Sequence, residues 1–193
     1  MTLLRVAQMI ADTEAEGPGR RFALWVQGCS LRCPGCCNPE MFSAERGEAL
    51  DAAEVAQRIL ATPGIEGLSV LGGEPFEQPR AVAEVCRAVR AAGRGVMVYS
   101  GYTLEELRAM RSPDVDALLA DIDLLVDGRF EQQNPERRRR WLGSANQRLH
   151  FLTSRYRADD PRFATPNTVE LRLVNGQLTI NGWPRAADAL RRR

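Results

Sequence analysis

Short apolar runs recur along the chain, each closed by a glycine or a turn residue and separated from the next by helical periodicity. Phe22–Gln27 (FALWVQ) is apolar up to Val26, runs into Gly28, and predicts a buried strand. Asp51–Leu60 (DAAEVAQRIL) places its apolar residues at helical spacing, with Asp51 positioned as N-cap. Gly67–Leu71 (GLSVL) predicts a second strand, closed by Gly72-Gly73. Arg80–Ala92 predicts a helix stopped by Gly93, and Val96–Ser100 (VMVYS) a third strand. Thr103-Leu-Glu-Glu106 has the form of a capping box and opens another helix. Asp123–Asp127 (DLLVD) and Arg148–Thr153 (RLHFLT) predict a fourth and a fifth strand.

Strands alternating with helices predict an α/β fold around a mostly parallel sheet. In such sheets ligands gather at the C-terminal ends of the strands. Four candidate segments fall there: a cysteine cluster after the first strand, Gly72-Gly73-Glu74 after the second, Ser100-Gly101 after the third and Asp127-Gly128 after the fourth. After Thr153 the texture changes. Ser154–Asn167 is polar, contains Pro161 and Pro166, and reads as a connector. Thr168–Val174, Asn175-Gly176 and Gln177–Ile180 then predict a β-hairpin with a type I′ turn, followed by a basic tail, Ala186–Arg193. The expected division is a core at 1–153 and a connector, hairpin and tail at 154–193.

Composition narrows the function. The 193 residues are 44% hydrophobic and 26% charged, enough for one real core. Twenty-six basic and 25 acidic side chains leave a formal charge of +1, so no global field argues for nucleic acid or an anionic membrane. Met1–Gly17 carries acids and no long apolar run, which reads as neither signal peptide nor membrane span and makes the cytoplasm the expected location. Four of the five cysteines lie between Cys29 and Cys37. That crowding disfavours disulfides and, in a reducing compartment, reads as a metal site.

Cys29-Ser-Leu-Arg-Cys33-Pro-Gly-Cys36 is a C-x3-C-x2-C run. Three thiolates on one short loop can hold three corners of an iron–sulfur cube and leave one iron open. Zinc is the alternative, although structural zinc wants four donors, usually in two pairs, and the chain has no second pair. The one histidine, His150, lies far away in a predicted strand and reads as an ordinary packed residue. Cys37 could close the cluster and make an electron carrier, but adjacent side chains point apart. Cys86, among Val82, Val85 and Val89, reads as core packing.

Several ordered segments together resemble a known family. Gly17-Pro-Gly19, Phe22–Cys29 and Cys33–Pro39, followed by Leu71-Gly-Gly-Glu-Pro75, Tyr99–Leu107, Leu125–Phe130 and Gly143–Gln147, are similar to the radical SAM (S-adenosylmethionine) activating enzymes, and among them to the activases of anaerobic ribonucleotide reductase. The resemblance covers about Gly17 to Leu152. It implies a partial (β/α) barrel, here with a C-terminal β-hairpin extension, and one [4Fe–4S] cluster per chain whose open iron binds SAM. It implies reductive cleavage of SAM to methionine and a 5′-deoxyadenosyl radical that takes hydrogen from a glycine of a partner enzyme. A glycyl-radical enzyme and an electron donor such as flavodoxin or ferredoxin are the implied partners; neither a membrane nor nucleic acid is.

On this resemblance Cys29, Cys33 and Cys36 are the cluster ligands, and Gly72, Gly73 and Glu74 receive the SAM amino group. Glycines let a backbone approach a ligand closely, and a carboxylate accepts from an ammonium. The other reading of that segment is a Gly-Gly turn with a surface acid. Ser100, Asp127 and Arg129 lie where family members contact SAM, with Asn146 on the same rim; a plain turn or cap is the other reading for each. Gly35 precedes the third cysteine as in the ribonucleotide reductase activases, whereas Cys37 stands where they usually carry an aromatic. The tail from Ser154 extends beyond the short activases, either as a docking device or as an added edge of the sheet. The run Arg137–Arg140 before Trp141 reads as a solvated loop, with an acidic partner as the second choice. Two alternatives to a glycyl-radical activase remain: the same chemistry on a small molecule or peptide, and a non-catalytic cluster or zinc module.

Overall fold

Seven strands form one large sheet in the order β3-β1-β2-β4-β5-β6-β7. The computed structural model describes residues 1–174 and 176–183. The strands are β1 (Leu3–Thr13), β2 (Arg21–Val26), β3 (Glu48–Asp51), β4 (Gly67–Gly72), β5 (Gly95–Tyr99), β6 (Leu124–Asp127) and β7 (Arg148–Phe151). The helices are α1 (Ala52–Ala61), α2 (Pro79–Ala91), α3 (Leu104–Ala109) and α4 (Pro113–Ala120). β2, β4, β5 and β6 pair in parallel; β1 is antiparallel to both β2 and β3, and β7 is antiparallel to β6. Five of the seven strands, β3 included, therefore point the same way.

The parallel strands read as unbroken apolar runs because both their faces are covered. Leu24, Val26, Leu68, Val70, Val96, Val98 and Leu125 face the helices and pack on Val55, Ile59, Val82, Val85, Val89 and Leu118. Met97, Leu124 and Val126 face the other way, against Trp141, Leu142 and Tyr156, which come from irregular chain rather than helix. Truncating one of these buried leucines to alanine costs about 2–5 kcal/mol. Local signals agree with the tertiary arrangement. Asp51 caps α1 by accepting from Ala53 N at 2.9 Å. Thr103 and Glu106 form the capping box of α3, at 3.2 and 2.8 Å.

Four features depart from the sequence expectation or extend it. β1 and β3 lie in segments with no continuous apolar run, and β1 makes two of the sheet's three antiparallel pairings. β7, the fifth strand that the sequence predicts, runs against β6 in an otherwise mostly parallel sheet. The C-terminal hairpin, β8 (Val169–Val174) with β9 (Gln177–Gly182), is a separate two-stranded sheet and not an added edge. Its expected type I′ turn includes Asn175, and its basic tail Ala186–Arg193; both lie outside the described residues. Among the described residues no helix is long and apolar enough to cross a membrane.

Arg21 shows how the end of the sheet opposite the cysteines is tied. Although it starts β2, its side chain is fully buried. Its Nε donates to Ser69 Oγ at 2.7 Å and its Nη1 to Tyr156 Oη at 3.0 Å, while Nη2 serves the carbonyls of Leu68 and Gly95. A buried guanidinium is tolerated when its donors are all engaged.

Candidate functional site

The exits of β2, β4, β5 and β6 converge on one open cleft of about 200 Å³. After β2 the chain makes a loop whose base is closed by Gly28 N donating to Met41 O at 2.9 Å and Cys29 N to Phe42 O at 3.1 Å. The Gln27 amide ties the same base through the carbonyls of Glu40 and Ser43. Within the loop Cys36 N donates to Cys33 O at 3.1 Å, and Asn38 N lies 3.5 Å from Cys36 Sγ. Cys29, Cys33, Cys36 and Cys37 are half-buried and in no disulfide, and all four line the cleft. Burial pushes the Cys29 thiol above its ordinary pKa, against the pull of the Arg32 and Leu31 amides; the charges of Glu74 and Glu77 add to the rise.

These residues suit an iron–sulfur cluster: the donors are soft thiols, and backbone N–H groups already face the sulfurs. A single ion would need its donors on one point. Among the described residues no three of His, Cys, Asp and Glu form such a group. His150 is turned to Asp127, with Nε2 2.9 Å from Oδ2. Cys86 is buried, as expected, and its thiol pKa is pushed far up by burial.

At the exit of β4 the two glycines pack directly on neighbouring backbone. A Cβ on Gly72, at φ +106°, would sit 2.6 Å from Val26 N, and one on Gly73 would sit 2.1 Å from Gly28 O. Gly73 N and Glu74 N donate to Val26 O and Gly28 O, both at 2.7 Å. The glycines thus hold β4 against the root of the cysteine loop, since only Gly lacks the atom that would collide. Glu74 is 1% exposed. Its Oε1 accepts from Phe76 N at 3.0 Å and Ser100 Oγ at 2.9 Å, and its Oε2 from Gly101 N at 2.8 Å. Burial raises its pKa to about 7 against those three donors. Glu74 and Ser100 are therefore one unit on the cleft wall. Glu77, which the sequence reading passed over, accepts from Ser30 N and Oγ at 2.7 and 2.6 Å and clamps the cysteine loop from below.

Asp127 and Arg129 do not reach the cleft; Gly128 and Phe130 line it instead. Asp127 accepts from Leu104 N at 2.7 Å and from Arg148 at 2.9 and 2.6 Å. Arg129 donates to Gly101 O at 3.1 Å and Glu106 at 2.6 Å and lies over the Tyr102 ring. Asn146 holds the Arg129 carbonyl at 2.7 Å. Along the basic run Arg137 and Arg138 are exposed and Arg139 and Arg140 half-buried. Glu136 accepts from the amides of Arg137, Arg138 and Arg139, and Trp141 is buried against the cleft.

A second wall faces the cysteines. Trp25, Tyr99 and Trp141 line it with Glu16, Asn181 and Trp183. Glu16 Oε1 accepts from Gly182 N at 2.7 Å, and Asn181 Nδ2 donates to Thr13 Oγ1 at 3.0 Å, latching β9 to the end of β1. No local pattern announces this wall, because its members are brought together from segments more than 160 residues apart.

Residues 15–150 match the family described as "4Fe-4S single cluster domain". The chain is 35% identical over 145 residues to a protein of Escherichia coli (strain K12) named anaerobic ribonucleoside-triphosphate reductase-activating protein, covering 70% of this chain and 91% of that one. A protein of the same name from Vibrio cholerae is 35% identical over 146 residues, 71% of this chain and 91% of its own length. The one from Enterobacteria phage T4 is 30% identical over 140 residues, 69% and 85% respectively.

Proposed function

The chain belongs to the 4Fe-4S single cluster domain family, and on that premise we propose that it is a radical SAM activase that installs a glycyl radical on a partner enzyme such as an anaerobic ribonucleotide reductase. When bound, the cluster and SAM supply a one-electron cleavage to methionine and a 5′-deoxyadenosyl radical, which takes a hydrogen atom from the partner's glycine Cα and leaves as 5′-deoxyadenosine. The electron comes from a donor such as flavodoxin or ferredoxin.

In this reading Cys29, Cys33 and Cys36 hold three irons, and Cys37 holds none. Glu74, with one face to the cleft and both oxygens braced by Ser100, Gly101 and Phe76, receives the SAM ammonium. Gly72 and Gly73 keep that carboxylate beside the cysteine loop. Asp127 and Arg129 act at a distance, by positioning the Tyr102–Leu104 and Gly101 backbone that borders Ser100. The sheet is read as the partial barrel of this chemistry, residues 154–193 as an addition to the 1–153 core, and the cytoplasm as its compartment.

The observation that carries the reading is that three thiols at C-x3-C-x2-C spacing share one cleft with Glu74 and Ser100. The test is anaerobic reconstitution with iron and sulfide, followed by SAM, dithionite and an assay for 5′-deoxyadenosine. The product is expected from the wild type and from Cys37→Ala, and lost in Cys29→Ala, Cys33→Ala and Cys36→Ala. An intact cluster that leaves SAM uncleaved would sink the reading in favour of an electron carrier.

A further inference from the structure

The loop that carries Cys29, Cys33 and Cys36 distributes its hydrogen-bond donors unevenly. The amides of Leu31 and Arg32 are directed at the Cys29 thiol, and that of Asn38 lies 3.5 Å from Cys36 Sγ. Ser30, the residue directly after Cys29, behaves differently. Both of its donors, N and Oγ, go to Glu77 Oε1, at 2.7 and 2.6 Å. Two donors beside a cluster ligand are thereby withheld from sulfur.

The chain holds Glu77 in place for this contact. Glu77 ends a single 3-10 turn, Pro75–Glu77, whose proline fixes φ at the start and whose Phe76 is buried. Glu77 N donates to Glu74 O at 3.0 Å, and Phe76 N donates to the Glu74 carboxylate at 3.0 Å. The turn is thus built on the residue that forms the cleft wall. Glu77 itself faces solvent, and among the described residues its carboxylate forms no ion pair. Arg32, the cation of the cysteine loop itself, lies over the Phe42 ring, and Arg129 is paired with Glu106.

Hydrogen bonds to the sulfurs raise the reduction potential of an iron–sulfur cluster, and negative charge nearby lowers it, because reduction adds an electron to an anionic centre. Glu77 works in one direction through both. We propose that Glu77 is a positioning residue that keeps the cluster strongly reducing: it sets a negative charge beside the Cys29 end of the loop and takes up both Ser30 donors. The proposal rests on the radical SAM reading above and deepens it. Breaking the sulfonium C–S bond of SAM consumes the one electron that the external donor supplies, and a lower cluster potential favours that onward transfer.

The test is an EPR-monitored redox titration of the anaerobically reconstituted full-length protein, without SAM, in wild type, Glu77→Gln and Glu77→Ala. Glu77→Gln keeps a carbonyl oxygen for both Ser30 donors and removes the charge. At a fixed solution potential its reduced-to-oxidised ratio is expected to rise about fivefold, the scale of one charge acting through partly solvated protein. Glu77→Ala also releases the two donors, and a larger rise is expected. The carboxylate is exposed, so the gap between wild type and Glu77→Gln should narrow at about 1 M salt. An unchanged ratio in Glu77→Gln overturns the proposal, and so does a gap that salt leaves untouched. Should Glu77→Ala fail to hold a cluster, Glu77→Gln alone decides. A shifted potential in Glu77→Gln with no 5′-deoxyadenosine from wild type defeats the radical SAM reading alone. Production of 5′-deoxyadenosine with an unshifted Glu77→Gln potential defeats this proposal alone.

Discussion

The exits of β4 and β6 each bury a carboxylate, and the two are treated in opposite ways. Glu74 is held by two amides and a hydroxyl, with no cation among its hydrogen-bond donors, and its pKa rises to about 7 because burial outweighs those donors. Asp127 is equally buried, but Arg148 and His150 lie on it, and its pKa falls despite burial. The difference separates a site from a brace. A carboxylate paired with a guanidinium has its charge taken up by the fold; one braced by neutral donors alone has no cation beside it, and a cationic ligand would draw its raised pKa back down. Sequence position at a strand end, which made both residues candidates, does not distinguish them.

The largest test of that contrast is stability. Asp127→Ala strips the buried Leu104 N of its acceptor and takes a charged partner from the half-exposed Arg148, and should lower unfolding free energy by about 2–4 kcal/mol, the sum of an unpaired amide and a lost charge-assisted hydrogen bond. Glu74→Ala loses neutral hydrogen bonds only, and about 1–3 kcal/mol is expected. Equal shifts of the urea midpoint at the two sites would erase the distinction.

The pH dependence comes next. Glu74 has a folded pKa raised from 4.5 to about 7, so its neutral form favours the folded state below pH 4.5 and that contribution is lost as pH rises through about 7. The gap corresponds to about 3 kcal/mol. Glu74→Gln should remove this decline, measured as denaturant midpoints from pH 4.5 to 8. Asp127, with a lowered folded pKa, runs the other way: its contribution is present above pH 3.8 and lost as pH falls further. A Glu74→Gln protein with the wild-type slope would show that Glu74 ionises normally.

The smallest effect is expected at the rim of the Asp127 network. Arg148 also pairs with Glu105 at 2.6 Å, but that carboxylate is 68% exposed. Glu105→Gln should leave the urea midpoint unchanged, as for other solvated ion pairs. A measurable loss would mean that Arg148 depends on Glu105 to reach Asp127.

How much of this could be read beforehand follows from burial. The parallel strands were legible because covering both faces demands unbroken runs such as GLSVL and VMVYS. The cysteine spacing and Thr103-Leu-Glu-Glu106 were legible because their chemistry is local. β1 was missed because its residues alternate between buried and half-exposed and its partners, β2 and β3, are set by tertiary pairing. The burial of Trp141 was not legible, because it depends on Glu136 gathering three successive amides and on Asn167 accepting from the Trp141 amide, neither of which the run of four arginines announces. The wall at Asn181 depends on Glu16 and Thr13, which lie at the far end of the chain.

Cys86 turns the protein into its own stoichiometric counter. With that thiol sealed between α2 and the sheet, a membrane-free alkylating reagent applied to the native apo chain should label four of the five cysteines, those of the open loop. Assembly of the cluster should shield three of these and leave Cys37 as the lone labelled site, and full unfolding should expose all five. Mass spectrometry of the alkylated chain would then report, in whole numbers, how many sulfurs the cluster has claimed and which one it has left over.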